Sequence, residues 1–244
     1  MRGTEEFAAN NFRVRDPIFD SCIHLIVYGY SLLEKNTTYS RQHISNVTSK
    51  VRGKQTKKIE LEDYLRNDLV TRYIEPNRKL FGLDYYLFQS GVEEFLENIK
   101  TGILDIKVCS PLYNGTLYYI FECKRLNKSI LDNYVKEGVL RFTEVQYYPE
   151  IESTVAGMIS FLESVSTETK IKCGSSFKEI DSILKKYTKE TMLRSNLSKV
   201  KLVCTNFDKV ENFKYVFMSV HNRVKKTEPI KLYHIVLDYN DLIT

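Results

Sequence analysis

Residues Thr101 to Asn127 read TGILDIKVCSPLYNGTLYYIFECKRLN, and no other stretch constrains the fold as strongly. Two β-prone runs flank Asn114-Gly115, a dipeptide suited to a two-residue hairpin turn. With that turn, Tyr113 pairs with Thr116, Asp105 falls opposite Lys124, and Lys107 falls opposite Glu122. Side chains alternate along strands, so the hairpin sorts its residues onto two faces. One face carries Leu104, Ile106, Val108, Leu117, Tyr119, Phe121 and Cys123, all suited to a core. The other carries Asp105, Lys107, Cys109, Tyr118, Ile120, Glu122 and Lys124, and so collects every charge in the segment. A slip of two residues keeps this sorting, whereas a slip of one destroys it.

The charged face has two readings. In one it is a surface with cross-strand ion pairs, Asp105 to Lys124 and Lys107 to Glu122. In the other it is a site. Two carboxylates in a partly buried place repel unless a cation joins them. Hard oxygen donors suit Mg²⁺ or Mn²⁺, and a neighbouring Lys124 can position water or stabilise charge on phosphate. That set of groups is the chemistry of phosphodiester hydrolysis.

The rest of the chain supplies helices and strands for one α/β domain. Asp16-Pro17 reads as an N-cap and first helical position, with a buried helix running to about Glu34. Residues 35–57 are polar and read either as a linker or as a basic phosphate-binding arm. IELEDYLRNDLVTRYIEPNR places Leu61, Leu65, Leu69 and Tyr73 at steps of four, an amphipathic helix ending near Pro76. DYYLF reads as a short strand and VEEFLENIK as a helix. SILDNYVKEGVLRFTEV and SFKEIDSILKKY have helical spacing, and Gly138 within the first costs about 1 kcal/mol against Ala. TVAGMISFLESV reads as strand or helix. VKLVCTNF, FKYVFMSVHNR and IKLYHIVLDY read as strands, and CGSS at Cys173 as a turn. His221 and His234 read either as groups near a substrate or partner, or as strand-end histidines satisfied by backbone carbonyls.

Composition narrows the class. A formal net charge of +5 over 244 residues is mildly basic and compatible with a nucleic-acid ligand. Five cysteines without a CxxC pair fit free thiols in a reducing compartment better than a zinc site. The early apolar segment contains Asp20 and His24 and is short for a bilayer span. A cytoplasmic protein that does not enter membranes is expected. The sequence has no P-loop, GxGxxG or GxSxG.

The order of an acidic amphipathic helix, a strand with GILD, a turn, a strand with IFECK and a long helix resembles the PD-(D/E)xK nuclease superfamily. Glu122-Cys123-Lys124 matches its (D/E)xK element and Asp105 its acidic position, with Leu104 where the family name has Pro. The resemblance spans roughly residues 58–165, and the continuation resembles uncharacterised bacterial proteins of phage-defence loci. It implies a restriction-endonuclease-like three-layer α/β/α core with a central mixed sheet and peripheral helices, within a single domain over residues 1–244. An N-terminal extension would cover about 1–57 and a C-terminal helix and strands about 166–244. It further implies Mg²⁺ or Mn²⁺ held by Asp105, Glu122 and the Cys123 carbonyl, and water activated by Lys124. An acid on the first core helix, Glu62 or else Glu60, would complete the site. Cleavage of DNA, or less often RNA, follows from it, with Arg141, Lys54, Lys57 and Lys58 as candidate phosphate contacts. Two alternatives stay open: a binding module that keeps the fold, and a subunit licensed by a protein partner in a defence complex.

Overall fold

In the computed structural model the described residues are 16–51, 55–96, 99–111, 118–144, 147, 153–189, 191, 193–204, 206–224 and 226–244. Among them a seven-stranded mixed sheet forms, ordered β3-β4-β5-β6-β9-β8-β7. Its strands are β3 (Leu87–Leu96), β4 (Ile99–Cys109), β5 (Tyr118–Leu126), β6 (Val155–Leu162), β7 (Ser198–Lys199), β8 (Val216–His221) and β9 (Ile230–Asp238). β3, β4 and β5 form an antiparallel meander, whereas β6 runs parallel to both β5 and β9. The strands at the centre, β5 and β6, are buried along almost their whole length. Helices cover both faces, as continuous apolar strands require.

Helix α1 (Pro17–Asn36) packs on one face with α3 (Leu61–Asp68), against Ile106, Val108, Tyr119, Phe121, Ile159 and Ile235. Asp16 caps α1 as expected, its Oδ1 accepting from the Ile18 and Phe19 amides at 3.1 Å. On the other face lies a composite helix built from α4 (Leu131–Tyr134), a π-helical turn (Val135–Val139) and α5 (Leu140–Thr143). It packs with α6 (Cys173–Tyr187) against Ile120, Ala156, Met158, Leu232 and Val236. The parallel neighbours β5 and β6 approach closely at the pair Phe121 and Gly157, where an added Cβ would collide with the Phe121 ring. Phe121 in turn stacks on Phe19 at 5.1 Å between centroids. Gly157→Ala is expected to cost roughly 3 kcal/mol through overpacking, checked by urea denaturation.

Several expectations are corrected. Residues 35–57 are not a plain linker: they contain α2 (Arg41–Asn46), capped by Ser40, and a small sheet of β1 (Thr48–Val51) with β2 (Gln55–Lys58). The α3 segment does not stop at Pro76. A π-helical turn (Leu69–Ile74) and a 3-10 turn (Glu75–Phe81) prolong it, because Pro at the start of a new turn lacks only an amide that would be unpaired there. VEEFLENIK joins β3 and the start of β4, where pairing with a long neighbour overrides weak helical spacing. CGSS forms the first turn of α6. Among the described residues of VKLVCTNF none is strand: the short β7 lies just before it, and residues 200–204 are irregular. The Asn114-Gly115 turn lies outside the described residues. All five cysteines are free. Among the described residues no helix is long and apolar enough to cross a membrane.

His221 and His234 are fully buried on β8 and β9, which excludes a partner surface for them. They satisfy each other through Ser219 rather than through carbonyls. The Arg194 amide donates to His221 Nδ1 at 3.1 Å, so the His221 proton sits on Nε2 and points at Ser219 Oγ, 2.7 Å away. Ser219 then donates to His234 Nε2 at 2.7 Å, which leaves His234 Nδ1–H to face the Tyr134 hydroxyl at 2.5 Å. One amide thus orders four side chains. Burial pushes both imidazoles down to about 3, aided by Arg194 beside His221 and by His221 beside His234. Their folded-state pKa lies below the unfolded value, so the stability they confer is complete above about 6.5 and is lost as pH falls towards 3. Each is expected to steepen acid destabilisation by about 1.4 kcal/mol per pH unit in that window. Urea titrations at pH 7, 6 and 5 measure the slope.

Candidate active site at a fork in the sheet

The observed β4–β5 register pairs Ile106 with Phe121 and Cys109 with Tyr118. This is a two-residue slip, and the expected sorting of faces holds along the ladder but fails beyond it: Asp105 turns to the α1–α3 face while Glu122 keeps to the other, so the two carboxylates do not share one face. Of the two expected ion pairs, Asp105 with Lys124 is present at 4.0 Å, although the two do not face each other across the ladder, whereas Lys107 does not meet Glu122. Lys107 faces Ile120 and lies over the Tyr118 ring at 4.2 Å. The charged face is not an open surface either, since Asp105, Glu122 and Lys124 are all buried.

The ladder between β4 and β5 ends at Ile106 and Phe121. Beyond it, β4 pairs only with β3, and β5 only with β6. The two strands therefore part just where Asp105 and Glu122 stand. The alternation also breaks there: Ile106 and Val108 pack in the α1–α3 cluster, but Leu104 packs in the opposite one. Asp105 is thereby held towards α3. Its Oδ1 accepts from Arg66 of α3 at 2.5 Å, and its Oδ2 accepts from the Cys123 amide at 2.8 Å. A side-chain oxygen replaces a backbone carbonyl at the point of the fork.

Glu122 points to the other face, yet its surroundings are not apolar. Its Oε1 accepts from Lys124 Nζ at 2.9 Å and from Arg141 Nη1 at 2.9 Å, and its Oε2 accepts from the Tyr147 hydroxyl at 2.6 Å. Arg141 also donates to Tyr147 at 2.7 Å. Arg141 thus adopts the ion-paired arrangement rather than an open one. Burial, and then the charge of Asp105, push the Glu122 carboxyl up to about 7, against the pull of Lys124 and Arg141. Burial likewise raises the Tyr147 hydroxyl.

Lys124 is the centre of the arrangement. Its Nζ donates to Glu122, donates to Glu62 Oε1 at 3.2 Å, and stands 4.0 Å from Asp105 Oδ2. Burial opposes its charge, but Glu122, Glu62 and Asp105 together raise its pKa. Of the two acids weighed on the first core helix, Glu62 is the one that reaches Lys124. Its other oxygen accepts from the Arg125 amide at 2.8 Å, and burial raises its pKa. Glu60 is only the N-terminal flank of α3 and makes no capping bond. Gly138 of the composite helix lies against the Lys124 stem: an added Cβ would sit 3.5 Å from Lys124 Cγ and 2.6 Å from Met158 Cε. Glycine at this helical position removes an obstacle to close packing.

Sequence reasoning missed Arg66 and Tyr147, which hold Asp105 and Glu122. Arg66 occupies an ordinary helical position, and nothing in the spacing marks it. Lys58 lies at the end of β2 and is exposed, apart from the carboxylate cluster, and Lys57 also lies on β2. Lys54 lies outside the described residues. Among the described residues, no three His, Cys, Asp or Glu side chains are grouped to hold a metal ion. What converges is a pair of carboxylates across the fork, Asp105 and Glu122, with Glu62 beyond the ammonium. The donor chemistry nevertheless suits a hard divalent ion, which keeps several waters and needs few protein oxygens. A buried carboxyl raised by its neighbour's charge is also the kind of group that such an ion relieves.

The chain matches no family model, no curated protein and no solved structure.

Proposed function

We propose that this chain is a divalent-metal-dependent phosphodiesterase acting on nucleic acid, DNA before RNA, and working in the cytoplasm. The observation that carries the reading is the convergence of three carboxylates from α3, β4 and β5 on one buried ammonium at a fork in the sheet. The sequence spacing of Asp105 and Glu122-Cys123-Lys124 singles out the same residues. The β3–β4–β5 meander, followed by a helix and the parallel β6, supports a restriction-endonuclease-like fold.

Asp105 and Glu122 would hold Mg²⁺ or Mn²⁺, with the Cys123 carbonyl as the third protein oxygen. When bound, the ion supplies Lewis-acid polarisation of a phosphoryl oxygen and a more acidic water. Arg66 fixes Asp105 and Tyr147 fixes Glu122, so both carboxylates are positioned before substrate arrives. Lys124, held charged by its carboxylates, orients a water and stabilises negative charge that builds on phosphate. Glu62 steers the ammonium between these tasks. A reading in which these groups form only a structural ion-pair cluster leaves the separate recruitment of acids from α3, β4 and β5 without a purpose.

Plasmid nicking by the purified chain tests the proposal. Cleavage with Mg²⁺ or Mn²⁺ and none with EDTA is expected. Absence of cleavage of single-stranded and duplex DNA and RNA, together with no calorimetric Mn²⁺ binding, would reduce the cluster to a structural one. Binding of Mn²⁺ without cleavage would point instead to a subunit that a protein partner licenses.

A further inference from the structure

Beside the fork lies a cavity of about 340 Å³ whose polar walls are Arg41, Ser45, Lys58 and Arg125, over apolar Ile44 and Leu61. Such a volume is at the low end for a ligand pocket. Among the described residues, no carboxylate lines it. The cavity touches the site through two chain neighbours: Arg125 follows Lys124, and Leu61 precedes Glu62. One buried acid lies behind its cations. Glu163 is 1% exposed, and its two oxygens accept from Arg41 at 2.7 Å and from Arg125 at 3.3 Å. A single carboxylate thus holds two guanidinium groups side by side and neutralises only one of them. Each guanidinium has five N–H donors in a rigid plane, and one nitrogen of each faces Glu163. Lys58 adds an exposed ammonium at the mouth.

We propose that this cavity binds a phosphate of the nucleic-acid backbone, next to the bond presented at the fork. Two fixed guanidiniums and one ammonium form a donor set for a tetrahedral oxyanion, the Ser45 hydroxyl being spent on the Gln42 carbonyl at 2.9 Å. The apolar patch of Ile44 and Leu61 offers a surface for the adjoining sugar. The identity of the ligand as nucleic acid rests on the proposed function; the anion preference rests on the cavity alone. Its consequence is directional: the strand would be held on the α2–α3 side of Lys124, so that the fork receives one phosphate while its neighbour is clamped.

The test measures binding of a fluorescent single-stranded oligonucleotide by anisotropy, in EDTA, over a range of salt concentrations. Lys58→Glu reverses an exposed charge without touching Glu163, so it leaves folding intact. Arg41→Gln removes one clamp, and its thermal melt shows whether it stays folded. Each variant is expected to bind roughly tenfold more weakly, with a salt slope smaller by about one for each phosphate no longer neutralised. Wild-type affinity and slope in both variants would overturn the proposal, as would a wild-type protein that binds no oligonucleotide. The two proposals fail separately. Cleavage with binding insensitive to Lys58 and Arg41 removes the cavity and keeps the nuclease. Sensitive binding without cleavage at any divalent ion keeps the cavity and removes the nuclease.

Discussion

Lys124→Ala is expected to abolish cleavage while leaving Mn²⁺ binding in place. The side chain is the shared partner of Glu62, Asp105 and Glu122, and it is buried at their centre. Its loss leaves both proposed metal carboxylates present, and their mutual repulsion then makes a divalent ion more welcome. Mn²⁺ affinity should therefore hold or increase. Cleavage should fall about 10²–10³-fold or more, the loss that accompanies removal of one preorganised donor to developing charge. Without metal the variant should also melt earlier at pH 8 than the wild type, because buried carboxylates lose their counter-charge, and Mn²⁺ should restore it. Asp105→Ala is the contrast, since it removes a proposed ligand: Mn²⁺ binding and cleavage should both decline. Calorimetric titration with cleavage assays on the two variants separates metal binding from chemistry. Wild-type cleavage by Lys124→Ala, or equal Mn²⁺ affinity in wild type and Asp105→Ala, contradicts the proposed roles.

Arg66→Ala is expected to give the largest loss of stability among changes at the site, about 3 kcal/mol or more. Arg66 and Asp105 are both buried and bond at 2.5 Å, with Asp63 a more exposed second partner of the same guanidinium. Truncating Arg66 strands the Asp105 carboxylate at the fork, with the Cys123 amide as its remaining close hydrogen-bond donor. The double variant Arg66→Met with Asp105→Leu should be less destabilised than the sum of its singles, because no buried charge is left without a partner. Urea denaturation of the four proteins closes the cycle. Additive effects would mean that the pair contributes no coupling.

How much of this was legible beforehand varied by element. The Asp16-Pro17 start of α1, the strand character of β4, β5, β8 and β9, and the helical spacing of α3 and α6 are local patterns. They survived because burial in the folded chain follows the same periodicity that the sequence displays. VEEFLENIK failed since its weak helical spacing competed with a long antiparallel partner that only the sheet supplies. The polar stretch 35–57 failed because a small capped helix and a two-stranded sheet need little apolar patterning.

At the site, strand alternation and the ExK spacing were enough to single out Asp105, Glu122 and Lys124, whereas Glu62, or else Glu60, came only from the resemblance to the nuclease superfamily. Alternation also limited the hairpin register to slips of two, because a slip of one would set the charged side of one strand beside the apolar side of the other. Three things were settled by long-range packing instead: which of those slips occurs, that β4 and β5 part at Asp105, and that Arg66 and Tyr147 hold the two carboxylates. The last are contacts between residues 39 and 25 positions apart. Local pattern reports which way a side chain faces along its own element. It carries no record of which distant cation will meet it, because that depends on how whole helices settle against the sheet.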